Sequence, residues 1–333
     1  MAHVLSETAV ASTSANEDRI ALKCPACQAA LGLLSLGNSS DENQYSCGKC
    51  QYNVRCENGI WLTLAPNRLA YFSRFIEEYQ KIRTAEGRGS LQPEFYLNLP
   101  DKDLSGNNVW QWKIRARTFE YLSKKLLPRL LYGKGNSPKV LDLGAGNCWM
   151  SYRLALEGYS PVAVDLLTND QDGLGAAIHF RNHLSSLFPR FQAEMSHLPF
   201  IEGQFDAVIF NASFHYAENY QAVLREALRC TREGGVVIIA DTPWYSADEG
   251  GEQMVAERHT AFRQRYGTAS NSIPSLEYLT DQRLHYLAQT LRIRWGRDIP
   301  SYGIHWAMRP LLAKLRGKRE PSRFRIYSTR KLA

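Results

Sequence analysis

The chain has 333 residues, 44% hydrophobic and 22% charged, enough for one large α/β domain and a smaller module. Its net charge is +7, yet the stretch from Arg309 to Lys331 holds nine Lys or Arg against one acid, so the remainder is near neutral and only this end is an electrostatic handle. No apolar run approaches the roughly 18 residues of a membrane span, and Met1–Asp18 lacks the basic start and apolar centre of a signal peptide, so it reads as a disordered leader on a cytoplasmic protein.

An odd total of seven cysteines, with no secretion signal, argues against a disulfide framework and for metal ligation. Four of them form two Cys-x-x-Cys pairs, Cys24/Cys27 and Cys47/Cys50, with 19 residues between Cys27 and Cys47. Zinc takes four thiolates in a tetrahedron, and two such knuckles supply them without a large core. Residues 20–64 are therefore expected to form a zinc ribbon, with Zn2+ held by Cys24, Cys27, Cys47 and Cys50 and with Cys56 a bystander. Short strands are expected at Tyr45 and from Ile60 to Leu64. A closed site of this kind scaffolds the fold or contacts a partner, because it has no open coordination position for catalysis.

Residues 65–135 read as a helical linker or lid. Leu69, Phe72, Phe75, Ile76, Tyr79 and Ile82 recur at helical spacing and predict an amphipathic helix. A stretch broken by Pro93 and Pro100 follows, and a second helix is expected roughly from Trp110 to Leu131, before the breaker Gly133–Pro138. The rest, 136–333, alternates. Strands are expected at Lys139–Leu143, Pro161–Asp165, Arg190–Ala193, Phe205–Phe210 and Gly235–Ala240, with helices at Trp149–Glu157, Gly173–Phe188 and Tyr220–Cys230. Short β-branched runs between helices predict an α/β fold, a parallel sheet covered on both faces. Helices at Gly251–Tyr266 and Asp281–Thr290 and strands at Leu291–Trp295 and Arg323–Ser328 complete the pattern.

The most informative segment is Val140–Asn147, a buried strand that runs into Gly144-Ala145-Gly146-Asn147 and then a helix. Glycines there let a ligand approach the backbone, and a helix amino terminus binds its polar end. A dinucleotide fingerprint needs another glycine where Trp149 stands, which disfavours a nicotinamide enzyme. The Leu141-Asp142-Leu143-Gly144-Ala145-Gly146 turn is followed by Asp165 ending Val162–Asp165, by Glu194 after the third strand, and by Phe205–Asn211 and Arg232–Asp241. As an ordered set, over about Lys139 to Asp241, these resemble the class I S-adenosylmethionine-dependent methyltransferases of the small-molecule type. The resemblance implies a Rossmann-like sheet of seven strands and S-adenosyl-L-methionine as cofactor. It further implies that Asp165, with Leu166 beside it, holds the ribose hydroxyls. Glu194 would read the adenine amino group, with Met195 packed on the ring. Asp142, Gly144, Ala145, Gly146, Asn147 and Asn211 would surround the rest of the cofactor. Cys148 stands where the family often has a third glycine. The cysteine pattern likewise resembles the zinc ribbon that precedes a methyltransferase domain in many bacterial chains. More loosely, it resembles that of ribosomal-RNA guanine methyltransferases, which usually have a His in place of Cys50.

Methyl transfer from a sulfonium needs alignment and dryness more than covalent help, and a base only where the acceptor must lose a proton early. His215 is a candidate general base, or an orienting or structural histidine; Tyr216 adjoins it. Asp241 is a candidate to position or deprotonate an acceptor, or a loop cap. Phe95, Tyr96, Trp110, Trp112, Phe214, Tyr216, Trp244 and Tyr245 are candidate walls for a flat or apolar acceptor, or core. One of Lys113, Arg115 and Arg117 is a candidate partner for the cofactor carboxylate, or the three are simply a solvated helix face.

Near the end, Ile304, Ala307, Met308, Leu311, Leu312 and Leu315 fall at helical spacing, with Arg309, Lys314 and Arg316 on another face and Pro310 predicting a kink. Either the apolar face packs on the sheet, or the segment docks on an anionic membrane surface or on RNA phosphate. Three functional readings stay open. The chain methylates a small or lipid-like acceptor, or methylates RNA through its ribbon and basic end, or is a non-catalytic cofactor-binding subunit whose ribbon docks a partner. Oligomeric state is open.

Overall fold

The computed structural model describes residues 19–35, 44–135 and 137–332, and the expected leader lies outside them. The cysteine-rich segment folds on five short strands. β1 (Arg19–Lys23) pairs antiparallel with β2 (Ala30–Ser35), while β3 (Gln44–Ser46), β4 (Asn53–Glu57) and β5 (Ile60–Leu62) form a meander. The helix of the next segment, α1 (Pro66–Ala85), opens on a proline, whose missing N–H is no loss in a first turn. It is followed by α2 (Pro93–Leu97) and α3 (Val109–Tyr121), which continues through a π turn at Leu122–Leu126 into α4 (Leu127–Leu130).

The alternating region supplies β6 (Lys139–Leu143), α5 (Trp149–Leu156), β7 (Ser160–Asp165), β8 (Arg190–Gln192), β9 (Phe205–Asn211), α6 (Tyr220–Cys230) and β10 (Thr231–Ala240). Then come α7 (Asp248–Tyr266), α8 (Asp281–Leu291), β11 (Gly296–Asp298), α9 (Ile304–Leu315) and β12 (Ile326–Arg330). Two expectations shift. The helix expected at Gly173–Phe188 is a tighter 3-10 turn over Leu174–His183. The strand expected at Leu291–Trp295 forms only at Gly296–Asp298, because Arg292 takes the left-handed φ of 54° that ends α8.

The sheet has ten strands, in the order β11-β12-β10-β9-β6-β7-β8-β5-β4-β3, where seven were expected. β10, β9, β6, β7, β8 and β5 run parallel, and β12 enters antiparallel between β10 and β11. The three additional strands come from the cysteine-rich segment: β5 pairs with β8 in the register Ile60↔Arg190, Trp61↔Phe191, Leu62↔Gln192. Without it β8 would present an open row of N–H and C=O groups, so β5 continues the ladder across an edge that would otherwise need cover. β1 is tied to the same body, since Lys23 N–H donates to Pro199 O at 2.9 Å and Ile201 N–H to Ala21 O at 3.0 Å.

Alternation along the central strands splits their side chains between two cores. Leu141, Leu143, Val208 and Phe210 face one core, which also takes Ile20, Leu22, Val54 and Trp61 from the cysteine-rich segment. Val140, Ala207, Ile209, Val236 and Ile238 face the other, under α3 and α5. Among the described residues no helix is long and apolar enough to cross a membrane.

Candidate active site and cysteine cluster

The loops that leave the carboxyl ends of the central strands turn through left-handed backbone: Gly144 (φ 75°) after β6, Ala212 (φ 56°) after β9 and Asp241 (φ 51°) after β10. A β-carbon on Gly144 would lie 2.3 Å from the Ser213 Cβ, so only glycine lets the β6 loop meet the β9 loop. Cys148 also adopts φ 63°, the conformation for which a glycine is usual, at a steric cost of about 1 kcal/mol. Its side chain is fully buried.

Above these loops lies a cavity of about 310 Å³. Asp142, Gly144, Ala145, Gly146, Asn147, Asp165, Leu166, Glu194, Met195 and Asn211 all line it. Asp165 accepts from Gly146 N–H and Leu167 N–H, each at 2.8 Å. Burial raises the pKa of Asp165, and those two N–H groups oppose the rise. Asp142 accepts from the Ser151 hydroxyl at 2.7 Å, and burial pushes its carboxyl up to about 7. Asn211 Oδ1 is buried without a partner.

The cavity roof belongs to the segment expected as a linker or lid; Trp112 and Arg115 were candidates there, whereas Phe72, Phe75 and Tyr79 were expected only as the apolar stripe of a helix. The roof comes from α1, whose Phe72, Phe75 and Tyr79 line the cavity, and from α3, which adds Trp112 and Arg115. Two ion pairs fix α1 over the loops. Arg68 grips Glu194 through both carboxylate oxygens, at 2.8 and 2.6 Å, and Arg83 grips Asp172 in the same bidentate way. Arg115 has no carboxylate partner among the described residues. Burial, followed by the neighbouring Arg88 and Arg83, lowers its pKa to about 10. Of the three candidate cations, Lys113 and Arg117 are exposed and only Arg115 reaches the cavity.

Of the three acceptor-side candidates, Tyr216 lines the cavity and His215 and Asp241 do not. The His215 ring lies behind Tyr216, centroids 4.3 Å apart, with Nδ1 buried and unpartnered. Burial depresses its pKa to about 4. Asp241 accepts from the Thr118 hydroxyl at 2.6 Å, its Oδ2 has no partner, and burial raises its pKa to about 6. Among the candidate aromatic walls only Trp112 and Tyr216 line the cavity; Phe95, Tyr96, Phe214, Trp244 and Tyr245 are core, and Trp110 is half exposed.

The four expected ligand cysteines converge, their sulfurs all within 4.8 Å of one another. Cys24 and Cys50 Sγ are 3.6 Å apart and Cys27 and Cys47 Sγ 3.5 Å apart, near the separation of roughly 3.8 Å that a tetrahedron of Zn–S bonds requires. The two knuckles repeat one geometry. Gln28 (φ 63°) donates its N–H to Cys24 O and Gln51 (φ 60°) donates to Cys47 O, both at 2.9 Å. The N–H groups of Cys50 and Lys49 hold the Cys47 thiol down to about 6. Cys56 stands outside the cluster.

Comparison with known proteins bears on the same region. A family described as a methyltransferase domain matches residues 141–239. The demethylmenaquinone methyltransferase of Mycolicibacterium vanbaalenii is 34% identical over 105 residues, which is 32% of this chain and 42% of that protein. That of Mycobacterium tuberculosis is 34% identical over 107 residues, with the same shares. The chain thus spans about two fifths of the length of the curated relatives it matches. Among solved structures, geranyl diphosphate C-methyltransferase from Streptomyces coelicolor is 13% identical, covering 68% of this chain and 84% of that one with a TM-score of 0.47. Residues 141–239, which hold the glycine turn, the acids Asp142, Asp165 and Glu194 and the floor of the cavity, are thus the part of the chain that is similar to a methyltransferase domain.

Proposed function

We propose that this chain transfers a methyl group from S-adenosyl-L-methionine to a small or lipid-like acceptor by in-line displacement. The observation that carries this reading is the single cavity on which all ten cofactor candidates converge. When bound, the cofactor supplies an electrophilic methyl carbon on a sulfonium. Asp165 retains a free lone pair on each oxygen, enough to accept from two ribose hydroxyls. Glu194, neutralised by Arg68, accepts from the adenine amino group, and Met195 covers the ring. The unpartnered Asn211 Oδ1 accepts from the ammonium group of the methionine part, and the unpaired Arg115 guanidinium takes its carboxylate. Tyr216 orients the acceptor, with His215 supporting its ring, and Asp241 positions Arg115 electrostatically. Phe72, Phe75, Tyr79 and Trp112 give walls that suit a flat or apolar acceptor and exclude water. The similarity to demethylmenaquinone methyltransferases supports the same acceptor class. Zn2+ on Cys24, Cys27, Cys47 and Cys50 would be structural, since the four thiolates complete its coordination.

S-adenosylhomocysteine should raise the melting temperature, because it binds only the folded state. Asp165→Ala should weaken that binding by about 1–3 kcal/mol, the range for losing a charged hydrogen-bond partner. Unchanged affinity by calorimetry would refute the ribose assignment. Labelled methyl transfer is expected into a lipid or metabolite fraction; transfer into total RNA would overturn the acceptor class.

A further inference from the structure

The helix α9 inverts the usual amphipathic arrangement. None of its residues is buried. The face it turns to the protein carries Trp306, Arg309, Pro310 and Ala313, with Trp306 stacked on Phe324 at 5.4 Å and Arg309 lying 3.8 Å over Trp306. At 100° per residue, Leu311, Ile304, Leu315, Met308 and Leu312 fall within one arc on the opposite side, facing away from the protein. Ile304 is 75% exposed, Leu315 74% and Leu311 52%. The alternative in which this apolar face packs on the sheet is therefore wrong: its residues are exposed, and the helix meets the protein through the Trp306 face, against Phe324 just ahead of β12.

We propose that α9 is an interfacial anchor that seats this protein on an anionic lipid bilayer. Charge selects the occupant. No Asp or Glu stands between Ile299 and Arg319, while Lys314, Arg316 and Lys318 are exposed and make no ion pair among the described residues. The acids that border this stretch in the chain are already engaged, Asp298 by Arg129 and Glu320 by Arg323. A one-helix ridge of apolar residues flanked by unpaired cations is what inserts between headgroups, with each cation adding attraction to an anionic leaflet. The exposed Ile299 extends the apolar surface just ahead of the helix. The anchor also adjoins the cavity roof. Trp306 meets Trp110 of α3 at 6.3 Å, and the hydroxyl of Tyr302, just ahead of α9, lies 2.9 Å from that of Thr118 on α3. A lipid-like acceptor would thus be drawn from the surface on which the protein sits, a consequence that rests on the proposed function, whereas the anchoring does not.

The test uses the full chain with vesicles of phosphatidylcholine, with and without phosphatidylglycerol, by co-sedimentation. Binding to the anionic vesicles only, weakening with added salt, is expected. Lys314→Gln/Arg316→Gln/Lys318→Gln should bind on the order of 100-fold more weakly, and Leu311→Ser/Leu315→Ser should lose binding. Both variants should keep the wild-type affinity for S-adenosylhomocysteine, since the altered residues are exposed. The anchor is overturned by no binding of the wild type at low salt, or by a serine variant that binds as well as wild type. It is overturned equally if those leucines instead hold a dimer, or if total RNA displaces the vesicles and binds the serine variant undiminished. Vesicle binding without any S-adenosylhomocysteine binding would sink the proposed function and leave the anchor standing.

Discussion

Asp241 is 5% exposed, holds one hydrogen bond through Oδ1 and leaves Oδ2 with no partner, so ionising it in place is costly. Its folded pKa, about 6, lies above the unfolded value of about 3.9. A group raised in this way favours the folded state below the unfolded pKa, and the advantage is lost as pH rises through the folded one. Asp241→Asn keeps an acceptor for Thr118 and cannot ionise. Its stability relative to wild type should therefore climb by roughly 2–3 kcal/mol between pH 4 and pH 7. His215, depressed to about 4, acts in the opposite sense, losing stability as pH falls from its unfolded range. The difference between variant and wild type cancels that contribution, and a flat difference in thermal unfolding would show that Asp241 is not desolvated. Local pattern placed Asp241 at a strand end, but its hydrogen-bond partner, Thr118 of α3, lies 123 residues away, where no nearby residue reports it.

At the scale of elements, α1 covers the cavity and is fastened at both ends. The apolar stripe Phe72, Phe75, Tyr79 and Ile82 was legible in the spacing, yet periodicity says which face is covered and not what covers it. Ile82 went to the interior, while Phe72, Phe75 and Tyr79 went to the cavity wall. The partners that hold the helix were invisible, since Arg68 and Glu194 are 126 residues apart. Glu194 is only 5% exposed, so Arg68→Ala leaves an almost buried charge unpaired. A loss of about 1–3 kcal/mol is expected, read as a lower melting temperature, together with weaker S-adenosylhomocysteine binding as the roof loosens. Adding Glu194→Gln should restore part of the stability and none of the binding. Restored binding in the double variant would mean that Glu194 does not contact the cofactor.

The whole molecule is built on one sheet that runs from the cysteine cluster to β11. Because β5 pairs with β8, and β8 leads directly into Glu194 and Met195, the cysteine cluster and the cavity share a mechanical path. Chelation, or Cys47→Ser, should therefore lower S-adenosylhomocysteine affinity as well as expose residues 20–64 to protease, since metal binding and local folding are coupled. Cys56→Ser should do neither. Unchanged S-adenosylhomocysteine affinity after chelation would show that the ladder between β5 and β8 does not depend on the proposed zinc. The sequence by itself determined the two knuckles, the glycine turn, the acids that end the strands and the central β/α alternation, because each is a relation among residues within one turn or one strand. Only the tertiary structure decided that three strands of the cysteine-rich segment extend the sheet, that α1 and α3 roof the cavity, and that α9 turns its apolar face outward. Those outcomes rest on pairings between residues far apart in the chain, where sheet edges and buried charges choose partners by what lies nearby in space.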